Sequence, residues 1–213
     1  MSSDDLGVVA ALQDPVRRAV YEYVAAQGRE VGRGEVAEAV GAQRTLAAFH
    51  LDRLVEAGLL EAGFRRLTDR TGPGSGRPAK VYRRAAGEWQ VSVPARDYRT
   101  LALVLAEAVE LLGGDERAEE AARRAGARLA EPGEDLAGLL RRRGYEPYEE
   151  EGRLRLRNCP FHVLAGEHPL LVCSMNLALC QGLLAGSGEE GVTARLDPRP
   201  GECCVAFSKN NED

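Results

Sequence analysis

Residues 45–62 read TLAAFHLDRLVEAGLLEA, and this segment fixes the architecture of the N-terminal third. Its apolar residues recur at intervals of three and four, which predicts a helix from about Arg44 to Ala57. Gly58 is the expected left-handed stop, and the apolar pair after it begins a strand. A helix that passes directly into a strand in this way is typical of the second half of a winged helix-turn-helix.

The residues on either side complete the motif. Asp14 and Pro15 predict the N-cap and the first residue of an upstream helix that ends at a glycine. Residues 35–40 form a compact helix, and residues 80–84 form a basic returning strand. The sequence therefore predicts a winged helix-turn-helix domain over residues 1–86, whose second helix fits the major groove of DNA.

Three segments of this domain resemble a known group of bacterial regulators. ALQDPVRRAVYEYV (11–24) is similar to the opening helix of ArsR-like and MarR-like regulators. Residues 45–62 resemble their recognition helix and first wing strand, and GRPAKVYRR (76–84) resembles their second wing strand. The resemblance covers about 1–84 and implies sequence-specific binding to double-stranded promoter DNA.

The recognition helix has two faces with different expected roles. Ala47, Leu51 and Leu54 share one face and suit the core, whereas Asp52 is expected to be a solvated charge. Phe49 suits either a base contact or the core. Each wing cation is also compatible with an ordinary surface position. The residues predicted to contact DNA are Arg44, Thr45, Ala48, Phe49, Arg65, Arg66, Arg77, Lys80 and Arg83.

Charge is distributed unevenly along the 213 residues, which carry a net charge of −5. Residues 1–84 hold 13 Lys and Arg against 11 Asp and Glu, whereas residues 85–213 hold 15 against 22. Within residues 61–84 there are seven basic residues and two acidic ones. A short basic block on an acidic protein indicates a local contact with a polyanion, although a solvated arginine-rich surface has the same composition.

The remainder of the chain predicts a linking region and a sensor domain. Residues 95–112 predict a helix that is apolar around most of its circumference. Such a helix is either a core helix of the C-terminal domain or a dimerisation helix between two DNA-binding heads. We assign residues 87–143 to this helical region and residues 144–213 to a small α+β domain, so the fold class is α+β.

All five cysteines lie in the last 55 residues, namely Cys159, Cys173, Cys180, Cys203 and Cys204. The N-terminus lacks the order of a signal peptide, and no uninterrupted apolar window is long enough for a membrane helix. We therefore expect a cytoplasmic protein without a membrane partner and with reduced thiols. The cysteines form no CxxC knuckle, so any metal ligands must converge through the fold.

Two cysteine-bearing segments resemble a second group of regulators. NCPFHVLAGEHPLLVCSMN (158–176) and ARLDPRPGECCVAF (194–207) resemble the C-terminal sensor region of SufR-type repressors and their actinobacterial relatives. This resemblance implies an iron–sulfur cluster, usually [4Fe-4S], bound by Cys159, Cys173 and Cys203.

The fourth ligand remains open between His162, His168 and Cys204. Cys204 is expected to point away from Cys203 if both lie in a strand, and to replace it if the register differs by one. Cys180 is expected to be a buried thiol. A zinc site of Cys₃His type would use the same atoms.

The leading hypothesis is a homodimeric transcriptional repressor, not an enzyme, whose DNA affinity depends on an iron–sulfur cluster. The alternative is a winged-helix regulator whose C-terminal domain binds zinc or an organic effector. A third hypothesis is a thiol oxidoreductase with a DNA-binding domain. It is disfavoured because the sequence has neither a nucleotide-binding glycine loop nor a CxxC pair.

Overall fold

The computed structural model describes residues 3–65, 78–89, 91–92 and 96–209. The chain divides into two compact units, Met1–Arg96 and Asp97–Asp213. Each unit combines helices with an antiparallel sheet, so the α+β class expected from the sequence is observed.

The first unit is a helical cluster with a small sheet. Its strands pair antiparallel in the order β1-β3-β2. The elements in chain order are α1 (Ser3–Ala11), α2 (Pro15–Gln27), β1 (Val31–Gly32), α3 (Arg33–Ala39), α4 (Arg44–Glu56), β2 (Leu60–Arg65) and β3 (Ala79–Arg84). The two-residue strand β1 was not predicted from the sequence.

The predicted helix boundaries of this unit are confirmed by their caps. The side chain of Asp14 accepts a hydrogen bond from the backbone N–H of Arg17 at 2.8 Å, and Pro15 is the first helical residue. Gly28 and Gly58 follow α2 and α4 with φ of 62° and 74°, a conformation that an L side chain rarely adopts. The core beneath these helices includes Val20, Val24, Val36, Leu51, Leu54 and Tyr82.

The second unit packs five helices with a four-stranded sheet. Its strands are antiparallel in the order β4-β5-β7-β6. The elements are α5 (Tyr98–Leu111), α6 (Asp115–Leu129), α7 (Leu136–Arg142), β4 (Pro147–Glu150), β5 (Arg153–Leu156), α8 (His162–Glu167), α9 (Pro169–Ser187), β6 (Val192–Leu196) and β7 (Val205–Lys209). Helices α5 to α7 come from the region expected to link the two domains and belong to this unit.

Helices α6 and α9 touch through their backbones. A Cβ atom on Gly126 would lie 2.2 Å from the carbonyl oxygen of Leu179, and one on Gly182 would lie 2.1 Å from that of Arg123. Real Cβ atoms do not approach so closely, so only glycine fits at these two positions. The two helices therefore form a tightly joined pair.

Helix α9 is also the centre of the apolar core of the second unit. Within the described ranges it is the one helix that is long and apolar enough to span a bilayer by length and composition. Half of that window is buried inside the protein, as expected of a core helix. Its Cys180 and Leu183 pack with Leu139, Leu156 and Phe207 from α7 and the sheet.

Candidate nucleic-acid interface and thiol cluster

The recognition helix α4 separates a buried face from an exposed one. Ala47, Leu51 and Leu54 are fully buried, as predicted, and His50 joins them with only 5% of its surface exposed. Arg44 and Thr45 are exposed at the N-terminal end of the helix. Phe49 is 52% exposed, so the structure does not place it in the core. Ala48 is half-buried beside it.

Asp52 is half exposed, but it is a paired charge and not only the solvated one that the sequence suggested. Its carboxylate accepts hydrogen bonds from Lys80 Nζ at 2.6 Å and from the Tyr82 hydroxyl at 3.0 Å. The hydrogen bond from Lys80 holds the pKa of Asp52 below its usual range. These contacts tie α4 to strand β3, because two long side chains of the strand reach the same helix residue. Sequence spacing gave no sign of this pairing, since the partners are 28 and 30 residues apart.

The wing cations within the described residues also have acidic neighbours. Arg65 lies 3.5 Å from Glu30, and Arg83 lies 2.7 Å from Glu61, with both arginines well exposed. Arg66 and Arg77 lie outside the described residues. Arg44 makes no ion pair with any residue that the structure describes. Its charge is therefore the most available one on the recognition helix for a phosphate or a guanine.

Four of the five thiols meet at one place in the second unit. Cys159 lies in the turn before α8, Cys173 lies in α9, and Cys203 and Cys204 lie in the loop before β7. The Sγ atom of Cys203 is within hydrogen-bonding reach of Cys159 and Cys204. Cys204 in turn reaches Cys173. We call these four residues the thiol cluster.

Cys203 and Cys204 do not lie in a strand, which was the condition for Cys204 to point away from Cys203. Strand β7 begins only at Val205, so the alternation of a strand does not apply to the two cysteines. In the loop they both face the thiol cluster, and Cys203 is 2% exposed. Cys180 is fully buried, as expected, and burial raises the pKa of its thiol to about 12.

The electrostatics of the thiol cluster favour one thiolate. Hydrogen bonds from Cys159 and Cys204 lower the pKa of Cys203. The same hydrogen bonds raise the pKa of Cys159 and of Cys204, because each must keep its proton to donate it. Among these thiols, Cys203 is the one whose deprotonated form its neighbours favour, and a bound cation would displace the protons of the ligating thiols.

Neither of the two histidines considered as ligands has a side-chain hydrogen bond to a thiol among the described residues. His168 Nδ1 is 2.8 Å from Glu110 Oε2, and the side chain of His162 is exposed at the start of α8. Across the described ranges, no three His, Cys, Asp or Glu side chains already form a group that could hold a metal ion. The donor chemistry of the thiol cluster nevertheless suits an iron–sulfur cluster or zinc, because both take thiolate ligands.

An ionic clamp fixes the loop that bears Cys203 and Cys204. Arg155 on β5 is 2% exposed, and its guanidinium donates to Asp197 Oδ2 at 2.6 Å and to Glu202 Oε2 at 3.1 Å. The backbone N–H of Cys203 donates to the carbonyl oxygen of Leu156 at 2.9 Å. The loop is therefore held at both ends against the sheet.

Comparison with known proteins agrees with the geometry of the first unit. Residues 12–62 match the model of a family described as a helix-turn-helix domain. This chain is a DNA-binding transcriptional regulator. The matched residues include α2, α3 and α4, and such helix-turn-helix regulators are typically not enzymes. No curated protein matches the chain.

Three polar residues in or beside the core of the second unit of this regulator were not predicted from the sequence. Asn176, Tyr145 and Arg155 are each 2% exposed and hold polar contacts in or beside the core. The only signal for Asn176 was a polar residue inside an apolar helix. Arg155 had no signal at all, since an arginine in an alternating strand is ordinary on a solvated face.

Proposed function

We propose that this regulator is a homodimeric repressor whose operator affinity is controlled by an iron–sulfur cluster held by Cys159, Cys173 and Cys203. The observation that carries the proposal is the convergence of these thiols from a turn, a helix and a loop that are distant in sequence. The likeness of the two cysteine segments to SufR-type repressors is our reason for proposing [4Fe-4S] before zinc. When bound, such a group would supply a redox- and iron-sensitive centre.

Cys204 is the preferred fourth ligand within this proposal. It lies within hydrogen-bonding reach of both Cys203 and Cys173, whereas His168 is paired with Glu110. Cysteine sulfur is also the ligand that iron–sulfur clusters take most often. The thiol cluster would need a small closing movement to bind, because its side chains do not yet form a metal-holding group.

Helix α5 supports the homodimer. None of its residues is buried, although most of them are apolar. The large apolar side chains that are more than half exposed on or beside it are Tyr98, Leu101, Val104, Leu105, Leu111 and Leu112. A second copy of the helix would cover this surface and bring two DNA-binding heads to two half-sites.

The colour and metal content of anaerobically purified protein test the proposal. We expect a brown protein that contains iron and sulfide and loses its colour in air. Alanine at Cys159, Cys173 or Cys203 should abolish the chromophore and change operator affinity together. The matched control is Cys180→Ala, because Cys180 is a buried thiol outside the thiol cluster.

Two results would contradict the proposed iron–sulfur cluster and its ligands. Colourless protein with stoichiometric zinc would show that the thiols bind zinc instead, and an intact chromophore in Cys159→Ala would show that the ligand set is wrong. If genomic DNA fragments yielded no enriched site with either form of the protein, control of an operator would also be excluded.

A second candidate is an organic effector in place of a metal. An apolar cavity of about 390 Å³ lies among α5, α6, α8 and α9, and Leu105, Val109, Phe161 and Met175 are among its lining residues. This volume is in the range of small-molecule sites, and the lining would suit an apolar ligand. Operator binding that responds to an apolar compound but not to iron, sulfide or air would favour this candidate.

A further inference from the structure

Asn176 is a buried polar residue at the base of the thiol cluster. It lies on α9, and only 2% of its surface is exposed. Its Nδ2 atom donates to Cys203 Sγ at 3.2 Å and lies 4.0 Å from Cys159 Sγ. One amide thus reaches two of the three proposed ligands, which come from different loops.

Tyr145 fixes the direction of this amide. The Tyr145 hydroxyl donates to Asn176 Oδ1 at 2.6 Å, so the oxygen of the amide is occupied and the N–H₂ group faces the sulfurs. Tyr145 is itself 2% exposed and packs edge-to-face against Phe161. The result is a chain of hydrogen bonds with one polarity, from the Tyr145 O–H through the amide to Cys203 Sγ.

An amide at this buried position would destabilise the core unless its N–H₂ group donates a hydrogen bond to the sulfurs. Burial of an unpaired amide is unfavourable in proteins, and the neighbouring buried positions of α9 include Leu171, Val172 and Ala178. Leucine would fill the same core without polar partners. The hydrogen bond to Cys203 is therefore what distinguishes Asn176 from an apolar residue.

We propose that Asn176 is a positioning residue of the thiol cluster, which holds Cys203 Sγ in place and withdraws electron density from it. This inference rests on the proposed function, because its consequence is felt by a metal centre bound through Cys203. Hydrogen bonds to ligand sulfur raise the reduction potential of iron–sulfur centres, since they stabilise the more electron-rich reduced state.

Two variants remove the hydrogen bond in different ways. Asn176→Asp keeps the shape and the acceptor for Tyr145 but replaces the N–H₂ donor with a carboxylate oxygen. The double variant Tyr145→Phe with Asn176→Leu removes both polar partners together, which avoids an orphaned buried group and adds no charge. The matched control is Ser187→Ala, because Ser187 is also buried on α9 and its hydroxyl donates to the Leu184 carbonyl oxygen of its own helix.

The first readout uses cobalt and does not depend on the iron–sulfur cluster. Anaerobic Co²⁺ bound by thiolates gives a sulfur-to-metal charge-transfer band, whose energy falls as the sulfur becomes more electron-rich. We expect this band to move to longer wavelength in both Asn176 variants and to remain unchanged in Ser187→Ala. The second readout is the midpoint potential of the reconstituted cluster, which we expect to become more negative in the same two variants.

A third readout needs no metal. In the metal-free protein, the side-chain amide protons of Asn176 should be protected from hydrogen exchange, and Cys203→Ala should remove that protection. The exchange experiment also tests the role of Asn176 if an Asn176 variant fails to fold, because both proteins that it compares retain Asn176.

The outcomes separate the two proposals. An unshifted Co²⁺ band in variants that bind equal Co²⁺, or Asn176 amide exchange that ignores Cys203→Ala, would overturn the role of Asn176. A wild-type protein that binds Co²⁺ but assembles no iron–sulfur cluster would contradict the iron–sulfur function. The Co²⁺ band and the amide exchange would then still decide whether Asn176 positions Cys203.

Discussion

The candidate sites of the two units differ in how their residues are distributed along the sequence. In the first unit, most of the residues predicted to contact DNA lie on one helix and the two strands that follow it, and local signals such as the Asp14 cap of α2 set the helix ends. In the second unit, four thiols from three separate segments meet only because the sheet and α9 bring them together. A site built from consecutive residues can be recognised from the sequence, whereas a convergent site needs the fold.

The largest expected effect comes from the contact between α6 and α9. Gly182→Ala places a Cβ atom 2.1 Å from the Arg123 carbonyl oxygen, so the helices must separate. We expect a loss of about 3 kcal/mol or more in the unfolding free energy of the second unit, at the upper end of overpacking effects. Far-UV circular dichroism in a urea titration would measure it.

The first unit provides an internal reference for this experiment. Trp89 is the single tryptophan of the chain and packs against the core of the first unit, so its fluorescence reports that unit alone. Gly166→Ala is the matched control, because no atom lies within 4 Å of the added Cβ. Equal losses in both signals would contradict two separate cores.

The second effect concerns the clamp of the cysteine loop. Arg155→Met removes a buried guanidinium that donates to both Asp197 and Glu202, and we expect a loss of about 2 kcal/mol in the unfolding free energy, because its charge-assisted hydrogen bonds are lost while the two carboxylates keep some access to solvent. Arg153→Met is the control, since Arg153 contacts the same Asp197 at 3.0 Å but is 55% exposed. Similar losses in both variants, measured by urea unfolding, would refute the clamp.

The third effect tests the local site on α4. Arg44→Ala should weaken binding to the selected operator about 10- to 100-fold while it weakens a scrambled duplex less, because a base contact is worth about 1 to 3 kcal/mol. Fluorescence anisotropy on both duplexes would measure the difference. Arg53→Ala removes the same charge from the last turn of the helix, where Arg53 pairs with Glu56, and should have little effect. Equal losses in the two variants would indicate a general charge effect.

The smallest effect concerns the link between α4 and the wing. Asp52→Asn should reduce the stability of the first unit by about 0.5 kcal/mol near neutral pH, because the pair with Lys80 is half exposed to solvent. The folded pKa of Asp52 is depressed, so its stabilising contribution exists above the unfolded pKa of 3.8 and is lost as the pH falls through the lower folded value. Trp89 fluorescence during urea unfolding should therefore show a stability difference between the wild type and Asp52→Asn that disappears in acid. A difference that grew on acidification would contradict the assigned contact.

Features that depend on a few neighbouring residues could be predicted from the sequence, whereas features that depend on distant residues could not. The N-cap at Asp14 and the stop at Gly58 depend on a few neighbouring residues, so they were predicted correctly. The side of the chain that Cys204 faces depends on where β7 begins, and the sequence pattern left that start open by one or two residues.

Other features had a sequence signal whose meaning required the structure. Gly126 and Gly182 stand inside helices, where glycine is unfavourable by about 1 kcal/mol, and this conflict is resolved only by the close approach of the partner helix. Asn176 is similar, because its partners Tyr145 and Cys203 are 31 and 27 residues away. Neither pairing follows from helical periodicity.

The glycine contact between α6 and α9 has a mechanical consequence. Its atoms interlock at Gly182, nine residues beyond Cys173 on the same helix, which corresponds to about 14 Å of helical rise. A helix joined so tightly cannot slide past its neighbour without unpacking. We therefore expect α9 to behave as a rigid rod with a fixed far end. Gain or loss of a ligand at the thiol cluster would then displace the two flanking loops, while Cys173 stays as their common anchor.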